Sequence, residues 1–278
     1  MKEKLTLGIS PCPNDTYIFG ALLMGKVKPE IPVNPYIADV EELNKKTAKK
    51  ELDISKISVF AYLSAWRDYV LLNCGGAIGK GCGPILVARR DLTPEEIQKA
   101  TVAIPGKMTT AHFLLEYLNL HKGRRIEMIF HEVMPSVVSG KVDAGVVIHE
   151  GRWTYGQYGL TMVKDLGKYW EETTGLPLPL GVIAVKRSFA PEIAPLFENS
   201  IRASIDFARR CPDEVKPFIK NHAQEMDDLI IDKHIEAFVT PFTVDLGAEG
   251  KEAIKHLIFS ACRCFNIEPP NIPIFWDE

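Results

Sequence analysis

The residue in this chain best suited to proton transfer is His149, in the run Val146-Val147-Ile148-His149-Glu150-Gly151-Arg152-Trp153. It closes an apolar, strand-like run, and an imidazole suits proton abstraction at neutral pH. A lone histidine at a strand end is more often structural than catalytic; what singles this one out is its company. In open α/β sheets ligands bind beyond the carboxyl ends of the strands, and four other segments are expected to converge there. Ser10-Pro11-Cys12-Pro13-Asn14-Asp15-Thr16 follows the first strand. Asn14, Asp15 or Thr16 is expected to cap a helix over 17–23, whose free N–H groups equally suit an anion. Lys56-Ile57-Ser58 ends the third strand. There a lysine and a hydroxyl can hold a carboxylate or a sugar hydroxyl, against the commoner outcome of an exposed lysine. Ile104-Pro105-Gly106-Lys107-Met108-Thr109-Thr110-Ala111 opens an amphipathic helix with two hydroxyls. Capping uses one of them, so binding of a carboxylate or phosphate by Thr109 and Thr110 stands level with a structural role. The fourth segment, the Gly-rich stretch 75–84, precedes a strand instead of following one and lacks the Lys-Ser/Thr of a phosphate loop. It reads as turns needing positive φ beside a cleft.

Other chemistries are excluded by pattern. No His-Glu-x-x-His or Gly-x-Ser-x-Gly arrangement occurs. Histidines 112, 131, 222, 234 and 256 lie mostly within helical patterns, and His121 precedes a Gly turn. The six cysteines show no C-x-x-C spacing and read as reduced, buried side chains. Neither a metal nor a cofactor is expected.

The elements that must carry these residues alternate. Strands are expected at 5–9, 33–37, 54–58, 69–72, 84–88, 101–104, 126–130, 144–148 and 180–185. Asp39-Val40-Glu41-Glu42 and Thr93-Pro94-Glu95-Glu96 look like helix starts, each with a capping acceptor and a glutamate at the third helical position. Such alternation predicts an α/β fold with largely parallel pairing. From 191 onward the pattern is helical: 193–210, 213–223, 228–238 and 250–265. A chain that builds one lobe, leaves to build a second and returns explains this order. The expected division is a large lobe of 1–88 plus 186–278 and a small lobe of 89–185, with an interdomain cleft between them.

With 278 residues, 25% of them charged, and a formal net charge of -3, the chain offers no basic stripe for nucleic acid. No apolar run approaches the roughly 18 residues of a membrane helix, and no secretory pattern precedes the first strand. A cytoplasmic protein is expected. Neither a heptad nor an apolar patch indicates an oligomeric state.

Six segments, SPCPNDTYIF (10–19), LDISKIS (52–58), GKGCGPILV (79–87), IPGKMTTA (104–111), VDAGVVIHE (142–150) and LPLPLGVI (176–183), stand in one order. In them the chain resembles the 1,4-dihydroxy-6-naphthoate synthases of the futalosine branch of menaquinone biosynthesis. The likeness runs from the first strand to beyond residue 245; the C-terminal tail carries no signature. It implies a fold like that of type II periplasmic binding proteins. It also implies a lyase reaction without a cofactor, from cyclic dehypoxanthine futalosine to 1,4-dihydroxy-6-naphthoate with release of dihydroxyacetone. By motif position His149 would be the proton-abstracting base, with Lys56, Ile57 and Ser58 in one substrate-contacting strip and Thr109 and Thr110 in another. Asn14 and Asp15 join them as binding candidates. The partner is a small-molecule carboxylate, resting on 109–111 or meeting Lys56 or Arg152. Two alternatives stay open: the chorismate dehydratase of the same pathway, and a solute-binding protein that does no chemistry. A prephenate-type dehydratase lacks any motif here.

Overall fold

The computed structural model describes residues 4–224 and 227–278. The chain begins β1 (Leu5–Ile9), α1 (Pro13–Leu23), β2 (Val33–Ile37), α2 (Val40–Ala48), β3 (Ile54–Ser58), a 3₁₀ turn (Phe60–Ser64), β4 (Tyr69–Leu71) and β5 (Ala77–Gly79). It continues through β6 (Ile85–Ala88), α3 (Pro94–Lys99), β7 (Val102–Ile104), α4 (Thr110–Leu118), β8 (Arg125–Glu127), α5 (Phe130–Val138) and β9 (Ala144–Val147). Then come α6 (Gly151–Thr154), β10 (Thr161–Asp165), α7 (Leu166–Thr174) and β11 (Leu178–Lys186). Five helices follow: α8 (Ala190–Arg210), α9 (Pro212–His222), α10 (Asp228–Phe238), α11 (Pro241–Val244) and α12 (Gly247–Phe265).

The strands form two sheets. One has the order β2-β1-β3-β11-β4, with β5 also paired to β11; the other has the order β10-β6-β9-β7-β8. In the first, β1 runs parallel to β2 and β3, whereas β11 is antiparallel to β3 with Val182 opposite Ile57. Both β3 and β11 are almost wholly buried, since helices cover both faces; β11 accordingly reads as an apolar run, whereas β3 carries Ser55, Lys56 and Ser58 between its isoleucines. The tail returns to the same sheet: Leu71 N–H donates to Ile274 O at 2.8 Å and Phe275 bridges Leu71.

Local signals hold where they are strongest. Thr93 and Glu96 form a full capping box at α3. Asp39 caps α2 by accepting from Glu41 N–H, one residue short of the box pattern. The helices expected in the last third are α8, α9, α10 and α12, with the single turn of α11 between the last two.

Four expectations are corrected. α1 starts at Pro13, whose fixed φ and missing N–H suit the first helical position, and Asn14, Asp15 and Thr16 lie inside the helix, none of them its cap. The 126–130 strand stops at Glu127, and Phe130 opens α5, whose internal Pro135 and β-branched Val133, Val137 and Val138 masked its helical period. The Gly-rich stretch holds β5, although Gly75 and Gly81 do adopt φ of +74° and +70°. Finally, β6 pairs with β9 and β10, while β11 pairs with β3, β4 and β5. Residues 85–88 therefore belong with the second sheet and 178–186 with the first, so both crossings come earlier than expected. An apolar strand buried on both faces carries no period that says which sheet it joins. At this outward crossing the backbones touch: a Cβ on Gly83 would lie 2.4 Å from Gly167 Cα.

Candidate active site

His149, Lys56, Ile57, Ser58, Thr109, Thr110, Asn14 and Asp15 all line one cavity between the two sheets, together with Ser10 and, from α10, His234. The empty space among these residues, including the solvent at its mouth, is about 650 Å³.

The floor on the β3 side is a closed polar network. Lys56 Nζ donates to Asp15 Oδ1 at 2.8 Å and to Gly75 O at 2.9 Å, with both charged side chains buried. Asp15 Oδ2 accepts from Ser10 N–H and Oγ–H at 3.1 and 2.8 Å, and Asn14 Nδ2 donates to Asp15 Oδ1 at 3.0 Å. Lys56 is thus neither an exposed lysine nor a charge waiting for a substrate carboxylate; its charge is met by Asp15. Ser58 is engaged through Asn44, whose Nδ2 donates to Ser58 Oγ at 3.1 Å and whose Oδ1 accepts from Ser58 N–H at 2.9 Å. Ile57 belongs to the apolar core.

The opposite side is the start of α4. Thr109 Oγ1 accepts from His112 N–H at 3.2 Å and donates to Gly106 O at 2.8 Å, an N-cap. Thr110 Oγ1 donates to Leu180 O of β11 at 3.0 Å, tying the two halves together. Both hydroxyls are therefore used within the protein, contrary to the expected spare one. What remains for an anion is the pair of N–H groups of Thr110 and Ala111, which by position have no intrahelical acceptor. Met108 N–H is taken by Glu41, at 3.2 and 3.1 Å to its two carboxylate oxygens, reaching across from α2. Burial raises the Glu41 carboxyl above its usual range.

His149 leaves β9 through a left-handed backbone, φ +56°, uncommon for a residue with a Cβ. The turn ends the strand alternation and lets Glu150 begin α6. The ring meets the edge of Phe130 at 5.0 Å between centroids and stacks on His234 at 5.8 Å, 17° between planes. Cys12 Sγ lies 3.6 Å from both ring nitrogens. A sulfur equidistant from both cannot lie along either lone pair, so it fixes neither tautomer. Burial foremost, with the Glu150 charge adding to it, pushes the Cys12 thiol well up, which argues against a thiolate nucleophile. Glu150 does not orient His149; its Oε2 faces His234 Nδ1 at 3.8 Å. Arg152 is also unavailable to a substrate, since it donates to Gly83 O at 2.8 Å and pairs with Asp165 at 2.5 Å.

His234 is a site residue that the sequence shows only as one more histidine in a helical pattern. The signal was its spacing: with Ile231 and Phe238 it makes the buried stripe of α10, so it sits on the inward face. Burial, then the neighbouring His149, holds its pKa well below the ordinary value. His121, buried beside Ala100 O, is lowered chiefly by burial as well. Both rings take up a proton less readily in the folded chain than in the unfolded one, where they do so near pH 6.5. The unfolded state then binds more protons, so their contribution is complete above about pH 7 and is lost as pH falls below about 6.5. Each unit of pH below that value costs at most about 1.4 kcal/mol per ring. Unfolding midpoints measured from pH 8 to 5.5 should fall accordingly; a flat profile would show that neither ring is held neutral.

Among the described residues no three His, Cys, Asp or Glu side chains form a group able to hold a metal. No helix among them is long and apolar enough to cross a membrane.

Two sheets around a cleft, with loops from both converging on one cavity, define a two-lobed α/β clamp of the periplasmic-binding-protein type. The alkanesulfonate-binding protein SsuA from Xanthomonas axonopodis pv. citri, bound to MOPS, superposes with a TM-score of 0.72 at 12% identity, covering 96% of this chain and 94% of that one. That likeness is one of fold. A crystal structure of a protein from Archaeoglobus fulgidus gives a TM-score of 0.89 at 30% identity, over 96% of this chain and 99% of that one. A family model described as menaquinone biosynthesis matches residues 5–262. Two curated relatives bear the name 1,4-dihydroxy-6-naphtoate synthase. The one from Thermus thermophilus is 42% identical over 93% of this chain and 94% of its own length. The one from Streptomyces coelicolor is 40% identical over 93% of each. The chain belongs to this 1,4-dihydroxy-6-naphthoate synthase family of menaquinone-biosynthesis enzymes.

Proposed function

We propose that this enzyme is a carbon–carbon lyase that converts cyclic dehypoxanthine futalosine to 1,4-dihydroxy-6-naphthoate and releases dihydroxyacetone, with His149 as general base. The observation that carries the reading is the meeting, in one cavity of a chain of this family, of His149 and the open N–H groups at the start of α4. The substrate carboxylate rests on Thr110 and Ala111 N–H at the positive end of the helix. His149 removes an acidic C–H or hydroxyl proton, which starts ring opening and a retro-aldol-like cleavage of the C–C bond. Aromatisation of the product then supplies the driving force.

The Lys56–Asp15–Asn14 network holds the α1 side of the cavity in place, and Ser58 is held by Asn44. Glu41 to Met108 and Thr110 to Leu180 span the two halves; kept closed over the substrate, they exclude water and strengthen the remaining electrostatic contacts. A solute-binding role is supported by likeness of fold alone, and no feature of the described site favours dehydration of chorismate.

The test is incubation of the purified protein with cyclic dehypoxanthine futalosine, without added metal or nucleotide and with a chelator present. Dihydroxynaphthoate, followed by absorbance and mass, is the expected product. Tight binding of that compound without turnover would favour a binding protein, and turnover of chorismate in its place the dehydratase.

A further inference from the structure

Among the described residues one buried side-chain atom of this cavity has no partner, and it is not on His149 but on its neighbour. His234 is buried, and its Nδ1 is a buried atom with no hydrogen-bond partner. Its Nε2 lies 3.0 Å from Asn14 Oδ1. Which way the Asn14 amide points follows from its own nitrogen, which donates to Asp15 Oδ1. The oxygen is therefore the atom facing His234, and an oxygen of that kind only accepts. Nε2 must carry the hydrogen, and in a neutral ring Nδ1 is then a bare lone pair. The lock is passed along a chain of fixed groups: Lys56 holds Asp15, Asp15 holds Asn14, and Asn14 holds His234. Opposite Nδ1, at 3.8 Å, stands Glu150 Oε2, a second acceptor. Two acceptors facing each other make no bond, yet a hydroxyl placed against them satisfies one or the other. Leaving such a buried acceptor unmet is unfavourable.

Resting on the reaction proposed above, we infer that His234 is a second substrate-contacting imidazole, whose Nδ1 accepts a hydrogen bond from a hydroxyl on the sugar-derived part of the substrate. The two stacked rings then divide the work. His149 takes the proton, and His234, locked as the Nε2–H tautomer, stays neutral and presents a fixed acceptor. The titratable or charged groups facing it are His149 and Glu150, with Cys12 against the His149 ring and Asp15 and Lys56 behind Asn14. The same geometry gives Asn14 and Asp15 a part in the site as positioning residues, acting through His234.

Two replacements separate the nitrogens. In His234→Asn the amide oxygen takes the place of Nδ1 and the contact with Asn14 is lost. In His234→Gln the amide nitrogen takes the place of Nε2–H and the acceptor at Nδ1 is lost. With cyclic dehypoxanthine futalosine, kcat/KM should fall about tenfold or more in the glutamine variant and stay within about threefold of wild type in the asparagine variant. Equal losses in both, or none in either, would overturn the inference. Because α10 packs around this ring, a direct reading that leaves His234 in place accompanies the variants. The ¹⁵N spectrum of histidine-labelled enzyme at neutral pH should show one neutral Nε2–H imidazole whose unprotonated nitrogen shifts on adding substrate to His149→Ala enzyme. A charged ring, the other tautomer, or a signal unmoved by substrate would overturn the inference. Failure of the wild-type enzyme to turn over this substrate would instead remove the proposed reaction, so the two failures are distinguishable.

Discussion

Replacing His149 by alanine should lower kcat on cyclic dehypoxanthine futalosine by about 10²–10⁴-fold, the range usual for loss of a general base, while substrate affinity changes little. The affinity is expected to survive because the carboxylate contact lies on the other side of the cavity, on Thr110 and Ala111, and belongs to the backbone. The backbone at His149 complicates the alanine variant. At φ +56° a β-carbon is strained, and alanine has no side chain with which to offset it. Asparagine tolerates the left-handed region better and is no base at neutral pH, so His149→Asn is the matched control. Both variants should bind the substrate in calorimetric titration and both should fail to turn it over. Most of the activity surviving in either would take the role of base away from His149. Activity lost in alanine but kept in asparagine would show that the turn, not the imidazole, is what matters there.

The second large effect is expected at Lys56, and on stability before activity. Lys56→Met removes the cation from a pair in which both partners are buried, leaving the Asp15 carboxylate without its countercharge. Breaking a buried pair from one side costs about 3–5 kcal/mol, a large share of the roughly 5–15 kcal/mol that holds a typical domain folded. Denaturant midpoints should report it. Removing the charge from both partners, in Asp15→Asn with Lys56→Met, should recover most of the loss, because the penalty comes from the stranded charge and not from the missing contact. A Lys56→Met protein as stable as wild type but weak in substrate binding would restore the reading of Lys56 as a carboxylate ligand.

Much of the site could be read from local pattern. The strand ends that carry Lys56 and His149, and the helix start at Thr109, follow from apolar runs broken by capping and turn residues, and each lines the cavity. The capping box of Thr93 and Glu96 was equally legible, because both partners sit within one helical turn. Roles were less legible than places. Lys56 looked free because its partner Asp15 is 41 residues away, and Arg152 looked free because nothing in the sequence marks Gly83 O as its acceptor. The second hydroxyl of the Thr109-Thr110 pair was spent on Leu180 O, 70 residues away.

The same distinction governs the fold. Hydrogen bonds within a helix, caps and strand alternation involve neighbours in the chain, so their periods are written into consecutive residues. That is why an α/β chain ending in a helical third, with its ligand loops at strand ends, follows from the sequence. Sheet membership is different: β6 and β11 are apolar on both faces, and such a strand fits either sheet until its partners are known. The junctions between the halves, the stacking of His149 on His234 and the orphaned Nδ1 belong to the same class. Asn14 and His234 lie 220 residues apart, and only chain folding brings them within hydrogen-bond reach, where one amide determines which nitrogen of a buried imidazole carries its proton.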